Sequence, residues 1–349
     1  MAYFSYKQPG KATKTPFYMA LAGTILITLS PFIGFGQAYQ NNYIPIYDNT
    51  LFKLGIALFL AAVFLNSAKH VSRNKEILSC VLLVFIAFAC FFISYLGIKE
   101  KSSSHYMYEL LFWGGGHVLQ FFYTQIMIIA WLEVCRMNKV ELPFTDRWRT
   151  IILMAPVVFA GLSSIYIYAT QSVETAGYVT YFTYQMIIGC GIAAIPFTLA
   201  ALNRTIALKS YDKLAVLFSA LLFIAGGLLG NVAHARMMQG DITTLIPSHY
   251  HGSVIAVTIA LMGLGYRMAG ITRSSAAYIQ MLIYSIGQII YFAGLAILGQ
   301  HGAPRKTPGI QGIDVPQMVY HFMHLGGTLA LIGGIMFVVI IIKNRVDIR

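Results

Sequence analysis

The stretch ILSCVLLVFIAFACFFISYLGI, residues 77–98, decides the fold class. It runs for 22 residues without an Asp, Glu, Lys or Arg. A helix of about 20 apolar residues, rising ~1.5 Å per residue, crosses the ~30 Å hydrocarbon core of a bilayer. Working outward, nine more stretches of this kind lie at 17–36, 51–68, 106–134, 150–170, 178–202, 213–235, 243–266, 276–298 and 316–342. Alternating strand patterns are absent, and lipid offers a backbone N–H or C=O no partner, so each stretch reads as a helix. The prediction is an all-α integral membrane protein, a single polytopic domain over 1–349 with about ten transmembrane helices.

Composition agrees. The chain of 349 residues is 58% hydrophobic and only 10% charged, against about 25% charged in soluble domains. A soluble enzyme and a nucleic-acid module are excluded. The net charge of +12 is spread between apolar runs, so no nucleic-acid partner is expected. With the N-terminus inside, 18 of the 24 Lys and Arg fall in inner segments, leaving Lys53, Lys99, Lys101, Arg236, Arg305 and Lys306 outside. Cytoplasmic loops attract such an excess. Both termini are then expected in the cytoplasm, at the inner membrane of a bacterial or archaeal cell. The first apolar run lacks a small-residue cleavage site and reads as a retained helix. Four cysteines without a CxxC spacing give neither a zinc site nor a disulfide framework.

The histidines carry the functional signal. His70 lies in an inner loop, and His105 and His301 at outer connections. His117, His234, His249, His251, His321 and His324 lie in or near spans, each toward the outer half. Ionisable residues within a membrane are rare and usually functional. Neutral imidazoles converging in a dry site suit haem iron or copper. His249 and His251 are two residues apart, so on a helix they point about 200° apart and serve two cofactors rather than one. His321 and His324, three apart, share a face.

Three segments together carry a resemblance: HYHGSVIAVTIALMGLGY (249–266), FWGGGHVLQFFYTQ (112–125) and the outer loop QHGAPRKTPGIQGIDVP (300–316). From about residue 106 to 342 the chain resembles subunit I of the haem-copper oxidases, a superfamily that includes the nitric oxide reductases. Segment 249–266 resembles the helix whose two histidines bind the high-spin and low-spin haems. Segment 112–125 is similar to the helix with a copper ligand, here His117. Loop 300–316 resembles the one whose basic pair, here Arg305 and Lys306, binds haem propionates. The resemblance implies an oxidase-like bundle lacking two N-terminal helices, with His249, His251, His321, His324, Arg305 and Lys306 as haem-binding residues. It implies His117, His249 and His251 as metal ligands.

Departures from the family shape the expectation. The usual second ligand of the low-spin haem is missing with the N-terminal helices, so His321 or His324 is expected to partner His251. The fifth span, APVVFAGLSSIYIYAT (155–170), has Ser163-Ser164 or Tyr166 in the region where the resemblance implies an adjacent His pair completing a copper site. One remaining histidine makes a poor copper site. Glu109, Glu133 and Asp241 lie near span ends, leaving no acid in a span interior for a proton relay. The expected function is a haem-binding subunit with one or two haems. It would transfer electrons and bind or reduce O2 or NO near the outer face, in the manner of a haem-copper terminal oxidase if catalytic. Its partners would be other subunits of a respiratory membrane complex, the lipid bilayer and a cytochrome or quinol donor. The alternative is a non-catalytic haem or gas sensor, or an assembly or scaffold subunit. Gly114–Gly116 and Gly326-Gly327 admit either a flat cofactor or a neighbouring helix. Gln120, Gln125, Gln185 and Gln288 are expected to hydrogen-bond between helices.

Overall fold

The computed structural model describes residues 2–8, 10, 14–39, 45–72, 74–305 and 315–346. A short helix, α1 (Ala2–Lys7), precedes ten long ones: α2 (Lys14–Ile33), α3 (Thr50–Lys69), α4 (Lys75–Gly97), α5 (His105–Met137), α6 (Asp146–Thr170), α7 (Ala176–Arg204), α8 (Ser210–Met237), α9 (Leu245–Met268), α10 (Ser275–Gln300) and α11 (Gln317–Val346). All ten are long and apolar enough to span a bilayer, and the protein is an all-α integral membrane protein. One local departure from the sequence reading is a hairpin between α2 and α3. Strand β1 (Gln37–Tyr39) pairs antiparallel with β2 (Ile46–Asp48). Strands of three residues are too short to show an alternating pattern.

Helix starts follow local chemistry. Asn49, Asn74, Thr145 and Ser274 accept hydrogen bonds from the first free amides of α3, α4, α6 and α10, which otherwise lack partners. The helices sort into two compact units. The first comprises Met1–Gln125 and Phe144–Ile195, the second Ile126–Pro143 and Pro196–Arg349, so α5 and α7 contribute to both.

In the first unit, buried polar side chains tie the helices together. Gln125 donates to the Ser79 hydroxyl at 3.0 Å and the Leu153 carbonyl at 2.9 Å. The Ser94 hydroxyl shares hydrogen bonds of 2.8 Å with both Tyr168 and Tyr178, and the Gly114 amide donates to Tyr178 at 3.0 Å. A Cβ on Gly114 would fall 2.6 Å from the Tyr168 hydroxyl, and one on Gly115 2.4 Å from the Phe91 ring. These glycines therefore make room for protein side chains.

In the second unit, glycine lets backbones touch. A Cβ on Gly226 of α8 would lie 2.7 Å from the Ser253 amide nitrogen of α9, and one on Gly252 would lie 2.7 Å from Gly226 Cα. Between α10 and α11, Gly287 and Gly326 form a similar contact, with each Cβ meeting the other's carbonyl oxygen at 2.8 and 2.7 Å. Between lipid-embedded helices, packing of this kind replaces the hydrophobic driving force. At one end of the unit, Arg267 donates through Nε to Asp212 at 3.0 Å and through Nη2 to Asn138 at 2.6 Å. Asp212 is 2% exposed. The guanidinium and its hydrogen bonds offset what this carboxylate loses by leaving water.

Candidate haem-ligand site

His249 sits one turn into α9, against α8. Its Nδ1 lies 2.7 Å from the carbonyl oxygen of Gly226. A Cβ on Gly230 would approach its Nδ1 and Cε1 to 2.6 Å. The two glycines, one turn apart on α8, thus form a slot for the imidazole edge, one by its carbonyl and the other by its missing side chain. A carbonyl only accepts, so Nδ1 carries the proton and Nε2 keeps the lone pair. This tautomer is assigned from the hydrogen bond. A histidine held this way by a second partner is oriented for metal ligation through its other nitrogen.

Two hydroxyls fix the start of α9 on α10. Thr244 donates to the Leu295 carbonyl at 3.0 Å and Ser248 to the Phe292 carbonyl at 2.9 Å. The α10 exit is tied back to the same place. The Thr244 amide donates to the Ala303 carbonyl at 2.8 Å, and Thr243 forms a β-bridge with Pro304. This bridge brings Arg305, half-buried, to the end of the unit where α9 begins. Lys306 lies outside the described residues, as does the loop from 306 to 314.

His251 points to α10. Its Nε2 donates to Gln288 Oε1 at 2.6 Å, and its ring lies 4.7 Å from that of Tyr291. His321 and His324, expected to share a haem with His251, lie on the exposed face of α11. The reason is packing: α11 meets α10 through Gly326, Ala330 and Gly333, which the tight contacts hold inward.

His117 belongs to the first unit and is buried there. Its Nδ1 bonds the Trp113 carbonyl of its own helix at 2.8 Å, and the two rings are 4.9 Å apart. Ser163 and Ser164 of α6 accept from Gln185 Nε2 at 2.7 and 2.9 Å. Of the four glutamines expected to bridge helices, Gln125, Gln185 and Gln288 do so. His70, read as a loop residue, is only 1% exposed, with Nδ1 on the Asn66 carbonyl at 2.7 Å.

The two histidines of α9 differ in what their ring nitrogens meet. His249 presents an oriented, unprotonated Nε2, whereas the Nε2 of His251 is engaged by Gln288. Sequence reasoning singled out His249 but missed Gly226 and Gly230. Their four-residue spacing on an apolar helix was the available signal.

No family model matches the chain. An uncharacterized protein of Rickettsia prowazekii (strain Madrid E) is 29% identical over 386 aligned positions, covering 92% of this chain and 74% of that protein. An uncharacterized protein of Aquifex aeolicus (strain VF5) is 28% identical over 265 positions, covering 72% of this chain and 64% of that protein. The chain is thus similar, over most of its length, to proteins of two bacteria.

Proposed function

We propose that this protein is a haem-binding membrane subunit resembling subunit I of the haem-copper oxidases, in which His249 would hold the haem. The observation that carries the reading is the 2.7 Å bond from His249 Nδ1 to the Gly226 carbonyl. When bound, a haem would supply one-electron transfer and a place for O2 or NO. The chain's own residues prepare for it. Gly226 holds the Nδ1 proton, Gly230 leaves space for the ring, and Thr244 and Ser248 keep α9 from rotating on α10. Arg305, and Lys306 by resemblance, would pair with the carboxylates of the group. A respiratory-type complex would contribute further subunits and a cytochrome or quinol as electron donor, with both termini of this chain on the cytoplasmic side.

The test is the dithionite-reduced minus oxidised optical spectrum of the full chain, with and without CO. The expected result is a haem band in the wild type that His249→Leu removes. Protein from haem-replete membranes with no such band overturns the reading. A second reading, a non-catalytic haem or gas sensor or an assembly subunit, is favoured by the engagement of Ser163 and Ser164 with Gln185. Serine hydroxyls are poor ligands for copper. Copper analysis separates the two: about one ion per chain supports an oxidase-like centre, and none supports the second.

A further inference from the structure

The turn from α9 to α10 returns the chain to the end at which α8 begins. There the starts of α8 and α10 border a cavity of about 400 Å³, within the roughly 300–1,000 Å³ range of small-ligand sites. Ser210 lines it from α8. Arg273, Ser274 and Ser275 line it from the start of α10, and Tyr278 and Ile279 from one turn further in. Arg273 is exposed, and among the described residues no carboxylate pairs with it. The acid closest in sequence to Ser210, Asp212, is buried and engaged by Arg267. Lys209 and Lys213, both exposed, add positive charge around Ser210.

The lining changes character over one helical turn. Its outer part is a guanidinium and three hydroxyls. Its inner part is Tyr278 and Ile279, 40% and 48% exposed on a helix embedded in lipid. An anion with an apolar tail matches that order, because the bilayer itself passes from phosphate to acyl chain over the same depth. The planar guanidinium fork is suited to phosphate oxygens.

We propose that this cavity binds the phosphodiester headgroup of an anionic phospholipid. Arg273 pairs with the phosphate, Ser210 and Ser275 donate to it, and an acyl chain lies along Tyr278 and Ile279. Free phosphate shares the anion but leaves the apolar wall unused. The proposal is independent of haem.

The experiment is native mass spectrometry of the full chain released from detergent, titrated with phosphatidylglycerol, phosphatidylcholine or inorganic phosphate. Phosphatidylglycerol is expected to be retained in preference to phosphatidylcholine. Arg273→Gln should weaken that retention roughly tenfold, the scale of one charge-assisted contact. Arg273→Lys, which keeps the charge without the fork, should fall between. Lys101→Gln, removing an exposed cation in the first unit, should leave retention unchanged. Equal retention by Arg273→Gln and wild type overturns the site. Displacement of phosphatidylglycerol by an equal concentration of inorganic phosphate overturns the lipid as its occupant.

Discussion

His117 and His249 are alike in the sequence, each near glycines and inside an apolar helix, yet they are held differently. His117 bonds the carbonyl four residues back on its own helix. His249 bonds a carbonyl 23 residues away, on the neighbouring helix. The first bond is available to many helical histidines. The second exists only because Gly226 and Gly252 let two helices approach to backbone contact and Gly230 leaves room for the ring. An imidazole fixed from across an interface has one direction for its free nitrogen, which a ligand needs. One fixed by its own helix moves with that helix.

The largest expected effect breaks the comparison outright. His249→Leu should abolish the haem band, while His117→Leu should leave it in place. The reverse result in the same optical spectra would assign the ligand to the other histidine. Next, Gly226→Val drives a side chain into the Ser253 and Gly252 backbone of α9. Overpacking of that kind costs about 2–3 kcal/mol, read as a lowered unfolding midpoint in detergent. Gly227→Val, with nothing within 4 Å of its Cβ, should stay within about 0.5 kcal/mol of wild type. Equal losses for the two variants would mean that helix propensity, not the α8–α9 contact, sets the cost.

A subtler test leaves the backbone in place. The atom that Gly230→Ala meets is the His249 ring, which can turn aside. The fold should survive with a loss of about 1 kcal/mol, as for a single hydrogen bond, while the haem absorption shifts. An unchanged spectrum would separate His249 from the slot. Gln288→Leu and Gln185→Leu should each destabilise by about 0.6–2 kcal/mol, as interhelical hydrogen bonds do. Neither should remove the haem band, and loss of the band in Gln288→Leu would return His251 to the ligand set.

The smallest effect lies outside the membrane-spanning segments, in β2. Asp48 is held below the usual carboxylate pKa, chiefly by its ion pair with Lys53, with Ser103 adding a hydrogen bond. A lowered folded-state pKa stabilises at neutral pH, and that contribution fades as pH falls through the carboxylate range, about 4 and below. The Lys53 side chain is 51% exposed, so solvent screening limits the pair to under ~1 kcal/mol. Asp48→Asn should flatten this small acid-side slope in a pH series of unfolding midpoints. An unchanged slope would show that the pair contributes nothing to folding.

The sequence by itself determined the ten membrane-crossing helices, because spanning depends on length and apolarity along one segment. It also supplied the inter-helix role of Gln125, Gln185 and Gln288, since a long amide inside lipid must find a partner. It did not reveal the hairpin of β1 and β2, where three-residue strands carry no period, or the burial of His70, four residues beyond Asn66 and still packed against that helix end. Only the tertiary structure decided which histidine neighbours which helix. The spacing of His249 and His251 sets them on different faces but does not say what lies opposite. The Gly226–Gly252 contact brings α8 to His249, and the α10–α11 glycine seam leaves Gln288 to His251 and His321 and His324 exposed. The physical reason is that helix periodicity fixes directions about one axis, whereas a ligand geometry depends on the distance between axes. In lipid, small residues set that distance on partner helices far away in the chain.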